Sequence, residues 1–404
     1  MNLTMKEANR FKVVSEVLEG HLKAKEAAKL LRITERHLYR IKQRIKQNGP
    51  EGVVHRGRGK GKLRWLTQRI RDKINHLYQT RYKGFNITHL TEFLNRDEKI
   101  KVCRESVRQI LLDSGAYSRW RRHPKHRSWR EPSSREGQML QFDISEHNWL
   151  EERGPKLYLI GGIDDATSKC PGARFALLDT SLEHMRVLKQ IVESKGIPLS
   201  VYVDKDSSFK VNRPLTVEEQ LTDERPLTQI ARALEELGVE ILYANSPQAK
   251  GRIERAWGTF QDRLCSELRL HKVSTLEAAN HYLMEEFIPR YNRQFAHPPK
   301  EQGPAYRPLP KGLNLNSIFC FKEQRTVASD NTIRYKARLF QILPHGDRGS
   351  FVKAKVLVYE HLNGSIQLFY QGRKLKTREI QKRQRQLQRD QRLNKPDILE
   401  LQKT

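Results

Sequence analysis

Apolar positions recur at helical spacing through the first third of the chain and at strand spacing after it. Residues 5–20 and 23–32 read as short helices, the second with Ala27, Ala28, Leu30 and Leu31 as its small and apolar face. Thr34 then stands as an N-cap before "ERHLYRIKQRIKQ", where Leu38, Ile41 and Ile45 fall at i, i+3 and i+7 and make one buried stripe. A short helix, a tight turn and a second helix with a polar outer face predict a helix-turn-helix module over residues 1–50. An ordinary amphipathic helix with a solvated face shares that periodicity. Residues 66–80, 87–95 and 104–113 repeat the pattern, with Leu90, Phe93 and Leu94, then Val107, Ile110 and Leu111, facing inward. They predict a second helix-turn-helix module over 66–116.

The period then changes to two. "GQMLQFDISE", "KLYLIGGIDDATS" and "ARFALLD" read as an antiparallel meander. A helix at about 182–194, the strand "LSVYVDKD", the helix "TQIARALEELG" and the strand "VEILYA" follow, which predicts a mixed sheet with covered faces, an α/β core over 138–300. A linker over 301–318 leads to short β-like runs separated by Gly, Asn and Asp turns, which predict a small β-barrel over 319–378. Residues 379–404 read as a basic polar tail.

Charge adds a partner to this plan. The chain has 404 residues, with 76 Lys+Arg against 47 Asp+Glu and a formal charge of +29. Such an excess attracts polyanions, and double-stranded DNA is the expected partner; an anionic membrane surface is the blander one. No apolar run reaches the length of a membrane span, and the polar start "MNLTMKEANR" has no secretory character. The expectation is a cytoplasmic protein. The four cysteines form no CxxC pair, so neither a disulfide scaffold nor a zinc site is indicated.

The cations are not evenly spread. Arg36, Arg40, Gln43 and Arg44 share the outer face of the third helix, and Arg104 and Arg108 point away from the second module's core. The linker over 51–65 contains "HRGRGKGKLR", whose Arg56, Arg58 and Lys60 alternate with glycine in a chain slim enough for a minor groove. The linker over 117–137 contains "SRWRRHPKHRSWR", with Arg119, Arg121, Arg122 and Lys125 between two tryptophans that can stack on unpaired bases or pack on a neighbouring domain.

Three acids interrupt this cationic background. Asp143 lies inside the first strand, Asp204 ends the fourth, and Glu254 falls in the first turn of the helix after "NSPQAKG". On that helix Ile253, Trp257, Phe260 and Leu264 form the apolar stripe, with Glu254, Lys250 and Gln261 on its flank. Arg252 and Arg255 are expected to turn the other way, towards phosphates. Gathered carboxylates repel and raise one another's pKa unless a cation joins them. All-oxygen ligands suit Mg²⁺ or Mn²⁺, and two such ions activate an attacking oxygen and stabilise a leaving one. Taken alone, Glu254 reads instead as an acid favoured by a helix N-terminus or as a surface ion pair with a neighbouring arginine.

"QFDIS", "VYVDKDSSF" and "NSPQAKGRIERAWGTFQDRL", in this order, resemble the three acidic motifs of the integrase-type DDE transposases of bacterial insertion sequences, ISNCY-like, relatives of retroviral integrases. The later "FIPRYNRQFAHPP" is similar to the family's downstream Tyr-Asn segment. The resemblance implies an RNase H-like core, Asp143, Asp204 and Glu254 as catalytic metal ligands with two ions per site, and a homo-oligomer that holds two element ends on DNA. The chain departs from the pattern in three places. Lys205 and Asp206 follow the second acid where the family has Asn-Gly, which makes Asp206 a rival ligand; "KVNRPLTVEEQLTDERP" lengthens the second interval; and Gln261 replaces a basic residue. Asp164 and Asp165 read as turn acids and Glu146 as a flanking one. Two other functions use the same parts: a DNA-binding regulator derived from a transposase that no longer cuts, and an RNase H-like nuclease that cuts without joining.

Overall fold

The structure, a computed structural model, describes residues 3–55, 66–117, 130–204, 208–211, 213, 226–244, 251–344 and 349–380. It has two compact units, Met1–Leu77 with Leu94–Ser118, and Tyr78–Phe93 with Arg119–Thr404. The stretch expected as one second helical module is thus shared between them.

In the first unit, α1 (Met5–Leu18), α2 (Ala24–Leu30) and α3 (Glu35–Asn48) enclose a core of Val14, Val17, Ala27, Leu38, Ile41, Ile45 and Val53. The expected stripe of α3 is the buried one. Thr4 and Glu7 close a capping box on α1, and the Thr34 hydroxyl accepts from the His37 N–H at 3.3 Å to start α3. Between α2 and α3 the chain reverses at Arg32, in the left-handed region at φ 52°, where Ile33 N–H donates to Ala28 O at 3.0 Å. This is the predicted helix-turn-helix. α4 (Gln68–Thr80), α5 (Ile87–Arg96) and α6 (Arg104–Asp113) also match their predicted positions.

The second unit is built on a five-stranded mixed sheet in the order β3-β2-β1-β4-β5. β1 (Met139–His147), β2 (Leu157–Asp164) and β3 (Gly172–Ala176) are the antiparallel meander. β4 (Ser200–Val203) and β5 (Glu240–Tyr243) continue parallel to β1. Alternation along β1 assigns its two faces. Leu140 and Phe142 join the core made with α7 (Ser181–Lys195) and α8 (Gln229–Glu236). The opposite face is roofed by α9 (Gly251–Leu270), α10 (Leu276–Tyr282), the π-helical turn Leu283–Phe287 and α11 (Ile288–Phe295), through Ile253, Trp257, Phe260, Phe287 and Tyr291.

After α12 (Leu315–Ile318) the described residues form strands and turns, β structure as expected, but among them the sheets close no barrel. β6 (Cys320–Thr326), β9 (Lys355–His361), β10 (Ile366–Tyr370) and β11 (Arg373–Lys374) make one sheet; β7 (Thr332–Tyr335), β8 (Arg338–Ile342) and β12 (Thr377–Glu379) make another. The two open sheets share a core that includes Ile333, Phe340, Val358 and Leu368. Burial between facing sheets meets the hydrophobic demand that barrel closure would also meet. Among the described residues no helix is long and apolar enough to cross a membrane.

Candidate active site

Asp143 is half-buried in β1, on the face that α9 covers. Two polar side chains of the same face bracket it. Gln141 Oε1 accepts from Ile253 N–H at 3.1 Å, and Ser145 Oγ accepts from Gln261 Nε2 at 2.9 Å. The strand position between these tethers therefore lies under the first turns of α9. Opposite Asp143 on β2 stands Gly161, where a Cβ would approach Trp257 Cη2 to 3.0 Å and Ala173 Cβ to 2.6 Å. Glycine lets the indole of α9 lie against the sheet beside the acid.

Asp204 immediately follows β4 and is exposed. β1 and β4 pair in parallel with Leu140 against Val201 and Gln141 against Tyr202. Continued by two residues, that register sets Asp143 level with Asp204 on neighbouring strands, whose backbones run about 4.8 Å apart. Val201 and Val203 point to the α7 side, so alternation gives Asp204 the same face as Asp143. Glu254 is exposed in the first turn of α9, one residue after the tethered Ile253. All three acids thus belong to the α9 side of the sheet, at the end where β4 stops. Their oxygens are not gathered within 4.8 Å of one another; among the described residues Glu16, Glu19 and His21 are, at the exposed end of α1.

Asp165 is the acid that sequence reading underrated. Its side chain is fully buried; it accepts from Gln141 Nε2 at 2.6 Å, from Ser133 N at 2.8 Å and Oγ at 2.9 Å, and from Arg252 Nη1 at 3.1 Å, and it pairs with Arg130. Burial pushes this carboxyl up, but the Ser133 amide and the two guanidinium groups outweigh it and hold the pKa below the usual value. Asp164 is the turn acid expected, accepting from Thr167 N at 2.8 Å and Gly137 N at 2.7 Å, with burial raising its pKa. Arg252 is therefore not turned out towards phosphates. Half-buried, it bonds Asp165 and Arg130 O and fixes the start of α9, because a buried carboxylate needs a cationic partner more than a surface phosphate does. Burial raises the Tyr202 phenol, to which Asp204 and Asp165 add and which Arg130 opposes.

The other candidates divide similarly. Arg255 is exposed, as are Arg36, Arg40 and Gln43 on α3, where the exposed Tyr39 joins them. Arg44 is half-buried and donates to Val54 O, holding the turn after α3. Arg108 pairs with Glu105, and Arg104 is exposed. Glu146 lies on the opposite face from Asp143 and pairs with Lys156. Arg56, Arg58, Lys60, Arg119, Arg121, Arg122, Lys125, Lys250 and the rival Asp206 lie outside the described residues. The Tyr-Asn segment packs in the structure: Tyr291 meets Phe260 of α9 edge to face in the core, and Asn292 binds both backbone groups of Cys170, at 2.8 and 2.9 Å.

A helix-turn-helix domain family matches residues 9–62, the span of α1 to α3 and the segment after them. The y4bF protein of Sinorhizobium fredii, which bears the name of a transposase, is 31% identical over 387 residues, covering 95% of this chain and 83% of that protein. The chain belongs to the family of insertion-sequence transposases. The transposase for insertion sequence IS1202 of Streptococcus pneumoniae is 28% identical over 412 residues, covering 93% of this chain and 87% of that one. Among solved structures, the HTLV-2 integrase catalytic core domain in complex with magnesium is 18% identical over 40% of this chain and 97% of its own, with a TM-score of 0.27. This transposase is a DNA-acting enzyme whose first three helices are its helix-turn-helix domain.

Proposed function

We propose that Asp143, Asp204 and Glu254 hold two divalent ions, Mg²⁺ or Mn²⁺, and that the transposase uses them to free the 3′ ends of its element and join them to target DNA. The observation that supports this reading is the parallel register that sets Asp143 and Asp204 level on adjacent strands, on the face covered by α9, the helix that bears Glu254. The donor set fits the ions, being hard and all-oxygen. Two ions about 3.5 to 4 Å apart also span a wider set of carboxylates than one ion does. The strand order, with a meander followed by parallel β4 and β5, supports an RNase H-like core. When bound, the ions supply charge neutralisation at the attacking and leaving oxygens.

The chain's own residues do the positioning. Asp143 sits on a strand with its neighbours tethered to α9, so the face it presents cannot slide relative to Glu254. Asp165 and Arg252 hold the helix start in register with β1. In the first step a water oxygen bonds to phosphorus, the bond to O3′ breaks, O3′ takes up a proton and the water's proton leaves to solvent. In the second, that 3′-hydroxyl attacks a target phosphorus and displaces the target's own O3′. The helix-turn-helix, the second helical module and the basic linkers read the terminal inverted repeats in the cytoplasm, and the protein assembles on DNA as a homo-oligomer.

The test is a strand-transfer assay on duplexes carrying the cognate ends. Expected are a recessed 3′-hydroxyl and joined products with Mg²⁺, and neither in EDTA. Cleavage without joining would favour the nuclease, and salt-sensitive binding without cleavage would favour the regulator.

A further inference from the structure

At the far end of α9, within the second unit, lies a cleft of about 700 Å³ lined by Thr80, Arg81, Lys83, Gly84, Arg269, Leu270 and Lys272. Four of these seven are cationic. We propose that this cleft holds the phosphate backbone of duplex DNA, with Lys83 and Lys272 making the contacts. The inference rests on the chain acting on DNA and is independent of which acids catalyse.

An alternative account of these cations is that they answer the negative carboxyl end of α9. That end already has its cation. Arg153 Nη1 donates to Leu268 O at 2.7 Å and to Val273 O at 2.8 Å, and Val273 N closes on Leu268 O at 2.9 Å. Arg269 is also committed, to Glu151 Oε1 at 2.5 Å and to Lys83 O. It acts as the brace of the cleft, binding the 80–84 turn to α9. Gly84 permits the approach: its φ is +83°, and a Cβ there would meet Arg269 Nη2 at 3.0 Å. Lys83 and Lys272 are exposed and have no acidic partner among the described residues. Lys272 is held outward at the left-handed position that ends the helix, φ 54°. Two exposed ammonium groups without an acidic partner, one on a turn bound to α9 by Arg269 and one at the helix end, are available to a polyanion.

Position supports duplex DNA as that polyanion. At 1.5 Å per residue Arg269 lies roughly 22 Å beyond Glu254 along α9, close to the rise of six or seven base pairs. A duplex following this helix from the reacting phosphate reaches the cleft within one helical turn.

The experiment measures binding of the full chain to two labelled duplexes of equal length, one ending in the terminal repeat and one unrelated, across a salt series without divalent metal. Lys83→Ala with Lys272→Ala is expected to flatten the slope of log affinity against log salt by about 1.8, two contacts at about 0.9 each. Lys83→Arg with Lys272→Arg is expected to keep the wild-type slope. Flattening on the repeat duplex assigns the cleft to the element end, and flattening on the unrelated duplex assigns it to target DNA. An unchanged slope on both duplexes, in an alanine variant whose melting temperature matches wild type, would overturn the proposal. Because no metal is present, failure here leaves the reading of the acids untouched, and failure of that reading leaves this one standing.

Discussion

Asp143→Asn is expected to lower both 3′-end cleavage and strand transfer by at least about a thousandfold, roughly 4 kcal/mol of lost barrier reduction, while duplex binding stays near wild type. The substitution keeps the size of the side chain and removes its charge. Asp143 is half-buried between two tethers to α9, whose polar groups Gln141 and Ser145 are already hydrogen-bonded to that helix. Glu254→Gln is expected to act similarly, and Glu146→Gln to do nothing, because that residue faces the other side of the sheet and is already spent on Lys156. Asp204→Asn and Asp206→Asn form a pair that decides between rivals. The register of β4 against β1 favours a large loss at 204 and a small one at 206. Equal, undiminished activity in Asp143→Asn and Glu254→Gln would remove the chemical basis of the proposed site.

The second large effect is on stability. Glu267→Ala is expected to destabilise the second unit by about 3 to 5 kcal/mol, because it strands a cation and a phenol that are organised around one buried carboxylate. Glu267 is 1% exposed; it accepts from Tyr282 OH at 2.5 Å, meets His89 Nε2 at 2.8 Å and pairs with Arg290. Burial pushes its pKa up, but the His89 hydrogen bond and the Arg290 charge win, so the folded pKa lies below the ordinary value of 4.5. A depressed carboxylate contributes stability in full above that ordinary value and loses it as the pH falls through the folded pKa. Denaturant unfolding across pH 3 to 7 checks both points. Wild type should weaken below about pH 4.5, and the difference from Glu267→Ala should shrink with it. The same residue carries a mechanical consequence, since His89 belongs to α5 and Glu267 to α9. With Arg263 against Glu92 at 2.6 Å, it fastens the Tyr78–Phe93 segment onto the helix that bears Glu254.

Patterns that rest on local periodicity were readable in the sequence. Leu38, Ile41 and Ile45 announced α3, and the apolar run "GQMLQFDISE" announced the first strand of the meander. Motif order supplied the three acids of the proposed site. What escaped depended on partners distant in the chain. Asp165 looks like half of a turn until Arg130, Gln141 and Arg252 are seen around it, and Arg252 looks free for phosphate until that carboxylate is seen to hold it. The fastening of α5 to α9 joins residues far apart in sequence through side chains that helical spacing alone leaves on a solvated face. Strand alternation in the carboxy-terminal region promised β structure, but whether sheets close is decided by edge pairing, which alternation does not encode.

The most direct test is the anomalous scattering of Mn²⁺ in crystals of the transposase bound to a pre-cleaved element end. The account predicts two peaks about 3.5 to 4 Å apart, held by Asp143, Asp204 and Glu254. Peaks that leave any of these three carboxylates uncoordinated, or that lie elsewhere, as at Glu16, Glu19 and His21, would contradict it.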